Sequence, residues 1–132
     1  MEKGIYKKFE KMLKERGYKI EKELENNAGY EYVFYACKED IKIKIDYKTK
    51  MDWLINEINK IEFLNKAKKI CNKYKFNIDN DICFLDDDIQ LHTVWYACKE
   101  NIKIYLCDTN DTSNKFKSID INLLEKELTK NW

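Results

Sequence analysis

The sequence predicts an α+β protein built from two related halves, each running helix, strand, strand, strand, helix, with antiparallel hairpins packed on helices around one shared core. Three observations carry that expectation. The stretch Phe34-Tyr35-Ala36-Cys37-Lys38-Glu39-Asp40-Ile41-Lys42-Ile43 returns as Trp95-Tyr96-Ala97-Cys98-Lys99-Glu100-Asn101-Ile102-Lys103-Ile104, with conservative changes at two positions only. A self-match that close marks an internal repeat. Each copy alternates apolar and charged residues after its turn, as a half-covered strand does, and each is flanked by stretches with apolar residues at helical spacing. The 132 residues fit a single domain, with half one at about 1–60 and half two at about 61–132.

Taken in order, Ile5, Phe9, Met12 and Leu13 share one helical face, and Gly17 is the natural stop for a first helix over 5–16. Tyr18 to Leu24 alternates apolar and charged side chains, which predicts a strand before the turn-forming Asn26-Asn27-Ala28-Gly29. Tyr30 to Cys37 is aromatic and β-favouring, and Ile41 to Asp46 alternates strictly. A two-residue loop at Glu39-Asp40 would place Phe34 and Ala36 inside and Tyr35 beside Lys44; a three-residue loop would bury Tyr35 and Cys37 instead. Thr49-Lys50-Met51-Asp52 has the spacing of a capping box. From there to Tyr74 no glycine or proline interrupts the stripe Leu54, Ile58, Ile61, Leu64, Ala67, Cys71, which predicts one long central helix over about 51–74.

The second half repeats the order. Leu64 to Ile78 lies over Tyr6 to Ile20, so Phe76-Asn77-Ile78 matches Tyr18-Lys19-Ile20. Ile82 to Leu85 predicts a short strand, Asp86-Asp87-Asp88 a solvated turn, and His92 to Cys98 with Ile102 to Cys107 the second hairpin. Asp108 to Lys117 is polar and turn-rich, which predicts a mobile loop. A last helix over about 120–130 buries Ile121, Leu124 and Leu128. Ile41, Ile43, Ile45, Ile102, Ile104 and Leu106 should face the helices, leaving Lys42, Lys44, Lys103 and Tyr105 outside.

Composition narrows the function classes. Charged residues are 37% and apolar ones 44%, yet the formal net charge is only +1, so no global pull toward nucleic acid or anionic membrane operates. Basic charge is nearly all lysine, Arg16 being the single arginine, and bidentate reading of phosphates or guanines is mainly arginine work. The joint excess of lysine, asparagine, isoleucine and tyrosine suggests an A/T-rich genome, such as that of a low-GC bacterium or its phage. Five cysteines without a C-x-x-C pair, and no apolar leader ahead of them, predict free thiols in a cytoplasmic protein. No apolar run is long enough to span a bilayer.

Gly4, Gly17 and Gly29 are isolated, so phosphate-cradling loops and nucleophile elbows have no basis here. His92 is the only histidine and has no neighbouring base or ligand spacing, which leaves it a structural or exposed residue and predicts no metal and no cofactor. Asp79, Asp81, Asp86, Asp87 and Asp88 form one acidic concentration, and Asp46-Tyr47-Lys48 has the D-x-K spacing of metal-dependent nucleases. The second copy lacks a matching lysine, so a solvated acidic loop that serves as a docking surface is the preferred reading. Cys37 and Cys98 hold matching repeat positions and are expected to be buried.

Lys66, Lys68, Lys69, Lys73 and Lys75 make a basic segment at the end of the central helix. The element order resembles that of double-stranded RNA-binding domains, although no lysine motif stands at the start of either half's final helix; the resemblance implies phosphate contacts by that segment. The leading expectation is instead a non-enzymatic binding protein that blocks a protein or ribonucleoprotein partner stoichiometrically, as an anti-CRISPR or toxin-immunity inhibitor does. Asp86, Asp87, Asp88, Tyr96, Tyr105, Asp108 and Asp111 are its candidate contacts, with Tyr supplying large contact area at low entropic cost. The alternative is an RNA- or DNA-binding module using the lysine segment or the Tyr/Lys sheet face. A homodimer is compatible with either.

Overall fold

The computed structural model describes residues 3–22, 34–46, 48–84, 90–110, 113 and 115–130, and it is an α+β fold with two antiparallel sheets. The chain divides into two compact units, Met1–Met51 and Asp52–Trp132. The first unit holds α1 (Lys3–Glu15), β1 (Lys19–Lys22), β2 (Phe34–Lys38) and β3 (Ile41–Ile45), with sheet order β1-β2-β3. The central helix α2 (Met51–Lys73) leads into β4 (Asn77–Phe84), β5 (Leu91–Lys99), β6 (Ile102–Asn110), β7 (Lys115–Ser118) and α3 (Ile121–Leu128), with sheet order β4-β5-β6-β7.

The repeat is visible residue by residue. Lys19 pairs with Cys37 and Ile20 with Ala36 in the first sheet, as Asn77 pairs with Cys98 and Ile78 with Ala97 in the second. Both hairpins close through two-residue loops, since Lys38 pairs with Ile41 and Lys99 with Ile102. Glu39 and Glu100, the first loop residues, each have φ of 54°. That register settles which face is which: Phe34 and Ala36 are wholly buried, and Tyr35 stands beside Lys44. Ile41, Ile43 and Ile45 are buried and Lys42 and Lys44 exposed, while Ile104 and Leu106 are buried and Lys103 exposed.

The two helices that enter the sheets end in the same way. At the end of α1 the Tyr18 N–H donates to the Leu13 carbonyl (2.9 Å) and the Gly17 N–H to Lys14 (3.0 Å). At the end of α2 the Phe76 N–H donates to Cys71 (2.8 Å) and the Lys75 N–H to Asn72 (3.2 Å). Both are Schellman caps, which need a left-handed residue just past the helix. Gly17 supplies it at φ 89°, and Lys75 at φ 62°. The hairpin then reaches back: Lys38 Nζ donates to the Arg16 carbonyl (2.9 Å) and lies 5.3 Å from the Tyr18 ring centroid. Lys99 Nζ donates to the Tyr74 carbonyl (3.5 Å) and lies 5.3 Å from the Phe76 ring centroid. A cation on the negative end of a helix and over an aromatic face is favourable on both counts.

In the second unit α2 lays Phe63, Ala67 and Cys71 against Ala97, Ile104, Leu106 and Cys107 of the sheet, with Leu124 and Leu128 of α3 completing the cluster. Asp120 caps α3 by accepting from the Asn122 N–H (3.0 Å). Three expectations are corrected here. β4 is one eight-residue strand rather than a short piece at Ile82, because its pairing with β5 outweighs the turn propensity of Asp79-Asn80-Asp81. The expected mobile loop from Asp108 is in part regular: β6 runs on to Asn110 and pairs with β7. Thr49 does not head a capping box; its hydroxyl accepts from the Asp46 N–H (3.0 Å), two residues before α2 begins.

The caps give a reciprocal pair of expectations. A β-carbon in the left-handed region is strained by about 1–2 kcal/mol, so Gly17→Ala lowers stability by that order, while Lys75→Gly raises it by up to about 1 kcal/mol. Urea unfolding of the two variants beside the parent chain measures both.

Candidate functional site

The face of the second sheet away from α2 begins with a lysine–aromatic pair in each copy. Lys103 Nζ lies 4.8 Å from the Tyr96 ring centroid, as Lys42 Nζ lies 4.5 Å from that of Tyr35. The expected Tyr/Lys strip therefore exists, with its rings partly covered by the neighbouring ammonium groups. Tyr96 is half-buried and Tyr105 is 38% exposed.

Beyond Tyr105 the second copy departs from the first. Tyr96 pairs with Tyr105, but Trp95 pairs with Cys107, so Leu106 is the extra residue of a β-bulge. Leu106 and Cys107 are both wholly buried in the cluster under α2. The bulge reverses the alternation, which is what allows the Tyr105 hydroxyl to donate to the carboxylate of Asp108, three residues on. On a regular strand those two side chains would point to opposite faces. The other Asp108 oxygen lies 3.5 Å from His92 Nδ1 across the sheet, and both residues are buried. Asn110 next along donates from its amide to Gln90.

Within this group the Tyr105 hydroxyl holds its proton. Burial first, and then the Asp108 carboxylate, push the Tyr105 hydroxyl well above the ordinary tyrosine range. Burial pushes the Cys107 thiol up to about 12 and the Cys71 thiol up to about 11. Neither buried thiol is an activated nucleophile, since activation of a thiol requires a lowered pKa. Among the described residues no group of three or more His, Cys, Asp or Glu side chains could hold a metal ion. Asp46 is occupied by its own turn, accepting from the Lys48 N–H at 2.9 Å.

The remaining expected contacts fall as follows. Asp86, Asp87, Asp88 and Asp111 lie outside the described residues. Asp108 sits inside the sheet with its carboxylate turned to Tyr105 and His92. Lys66, Lys68, Lys69, Lys73 and Lys75 are all exposed. Lys66, Lys69 and Lys73 follow one stripe of α2, and Lys73 lies 3.7 Å from Glu125 of α3. Cys37 and Cys98 are half-buried rather than buried, because their register places them beside Lys42 and Lys103 on the lysine-bearing face.

A feature the sequence reading did not isolate is the β4 edge. Among the described residues β4 is the first strand of its sheet, hydrogen-bonded to β5 on one side only. Along it Ile78, Asn80, Ile82 and Phe84 share the α2-side face and Asp79, Asp81 and Cys83 the other. Ile78 packs against the cluster, but Ile82 is 68% and Phe84 60% exposed, and Leu91, paired with Phe84, is 44% exposed. Beside this edge a groove of about 530 Å³ is lined by Leu64, Lys68, Asn72, Asn77, Ile78 and Trp95. The signal is present as Ile78, Ile82 and Phe84 at even spacing; Asp79-Asn80-Asp81, of high turn propensity, interrupts it.

No protein-family model, curated protein or solved structure matches the chain. No helix among the described residues is long and apolar enough to cross a membrane.

Two solution measurements check this site. All five cysteines are free; at pH 8 a thiol reagent should modify Cys37, Cys83 and Cys98 in the native protein and reach Cys71 and Cys107 only on unfolding. Raised thiol and phenol pKa values also fix the sign of the alkaline response. The folded state holds its protons more tightly, so stability is full below the unfolded thiol value of 9.0 and falls as pH rises from there toward about 12. Tyr105→Phe should make that fall shallower above pH 10, as read from urea midpoints across the series.

Proposed function

We propose that this chain is a binding protein that blocks a protein partner stoichiometrically, engaging it through the β4–β5 arm. The observation that carries the reading is the exposure of Ile82 and Phe84, 68% and 60%, on a strand with an open edge. Large apolar side chains grouped on an unpaired edge are a hazard in water and a resource at an interface. Covering them would contribute roughly 1.5–3 kcal/mol for each side chain. A blocker of the anti-CRISPR or toxin-immunity kind, with a protein or ribonucleoprotein target, is the form that size and composition suggest.

The exposed stripe Lys66, Lys69, Lys73 supports a second reading, a nucleic-acid-binding module. Its affinity would fall steeply with salt in proportion to the phosphates neutralised. This stripe of α2 contains no arginine, spans two helical turns, and one of its members already lies near Glu125, so protein binding is the stronger proposal.

Capture from a lysate of the source organism separates the two. A protein retained at one equivalent after nuclease treatment, and lost with Ile82→Asp and Phe84→Asp, is the expected result. Loss of all partners on nuclease treatment, or on Lys66→Glu and Lys69→Glu alone, would move the assignment to nucleic acid.

A further inference from the structure

We propose that β4 accepts an extended segment of the partner protein as an added strand, one whose side chains alternate between basic and apolar. This rests on the protein-binding reading above and names the chemistry of its partner.

The backbone comes first. Eight residues of β4, Asn77–Phe84, present their outward N–H and C=O groups on a side where, among the described residues, the sheet has no further strand. Edges are normally blunted by shortness, proline, lysine or a bulge. The opposite edge of the same sheet follows that rule, since β7 has four residues and carries Lys115 and Lys117. β4 has none of these four devices; its charged residues are Asp79 and Asp81. Its pairing with β5 is regular throughout and its sequence contains neither lysine nor proline.

The side chains then select the occupant. Residues of an added strand lie about 5 Å from those directly opposite and share their face. On the α2 side they meet Ile78, Ile82 and Phe84, with the groove beside Leu64 and Trp95 open to receive apolar side chains. On the other side they meet Asp79 and Asp81, both exposed. Lys103 lies 3.5 Å from Asp81, but the two side chains are 61% and 59% exposed, so that pair is weak and leaves the carboxylate accessible. A strand with lysine or arginine at every second position and apolar residues between them satisfies both faces.

Self-pairing in the two registers that overlap β4 most fully is the poorer fit. A dyad perpendicular to the sheet and centred on Asn80 sets Asp79 opposite Asp81 twice, and one centred on Asp81 sets that residue opposite itself. Like charges directly opposite destabilise a strand pair.

The test uses the full chain, labelled for amide NMR, and an acetylated, amidated peptide of four Lys-Val repeats. The expected result is shifted and exchange-protected amides over Asn77–Phe84, with a Glu-Val peptide of the same length binding at least roughly tenfold more weakly. Asp79→Lys with Asp81→Lys, two exposed positions, should reverse that preference. Lys-Val peptides N-methylated on one or the other alternate set keep every side chain; the one methylated on the set that faces β4 cannot complete the ladder and should not bind. Equal binding of both methylated peptides, or no shift at β4 with the unmodified one, overturns strand addition. A concentration-dependent dimer abolished by Ile82→Asp would give the edge to a second copy and overturn it too. The binding reading fails separately, if capture of the natural partner is indifferent to Ile82→Asp and Phe84→Asp.

Discussion

A lysine from each hairpin, laid on the carbonyl just past the end of the helix that precedes its sheet, is the interaction on which the duplicated architecture turns. Lys38 reaches Arg16 and Lys99 reaches Tyr74, and each ammonium also covers the aromatic residue that opens the chain out of the cap. The distance between helix end and hairpin turn is thereby fixed twice, by the same chemistry. This explains much of the repeated ten-residue stretch. The tyrosine carries a lysine from the next strand, the alanine is wholly buried, the lysine caps the helix, and the glutamate takes the left-handed loop position. What the repeat preserves is a way of attaching a hairpin to a helix.

The same comparison shows where the copies are free to differ. Gly17 and Lys75 occupy equivalent cap positions, so the left-handed backbone is required and the glycine is not. The hydrogen bonds of the cap and the lysine above it hold Lys75 in a region that its own side chain disfavours. Sequence similarity between the halves fades outside the apolar positions while the geometry persists, because the constraint acts on backbone and register.

Most of the fold was legible for that reason. The strict alternation Ile41-Lys42-Ile43-Lys44-Ile45 announced the faces, the gap-free apolar stripe announced α2, and the repeat announced that whatever held for one hairpin held for the other. What stayed hidden depended on long-range pairing. Asp79-Asn80-Asp81 has turn propensity and becomes mid-strand only because β5 is there to pair with it. Asp108 reads as loop until a bulge at Leu106 turns its carboxylate toward Tyr105 and His92. A bulge has no reliable sequence mark when its residues, here Leu106 and Cys107, are simply apolar. The candidate site is correspondingly less legible than the scaffold: the tyrosines and lysines were found, the open edge was not.

Divergence between the copies then bears on where function resides. The first hairpin's last strand ends at Ile45 and gives way to the Asp46–Thr49 turn, whereas the second runs through a bulge to Asn110 and acquires β7 on its far side. Capping, register and buried alanine are common to both and therefore belong to folding. The bulged strand, its Tyr105–Asp108–His92 group and the long β4 edge are described in the second unit alone. The Asp108 carboxylate and the His92 ring are buried, and the carboxylate ties β6 to Tyr105 and to His92 of β5, which suits the group to stiffening the sheet. A stiffened sheet is what an exposed edge requires if it is to offer an ordered row of donors and acceptors, because an edge already held straight loses little entropy when another strand joins it.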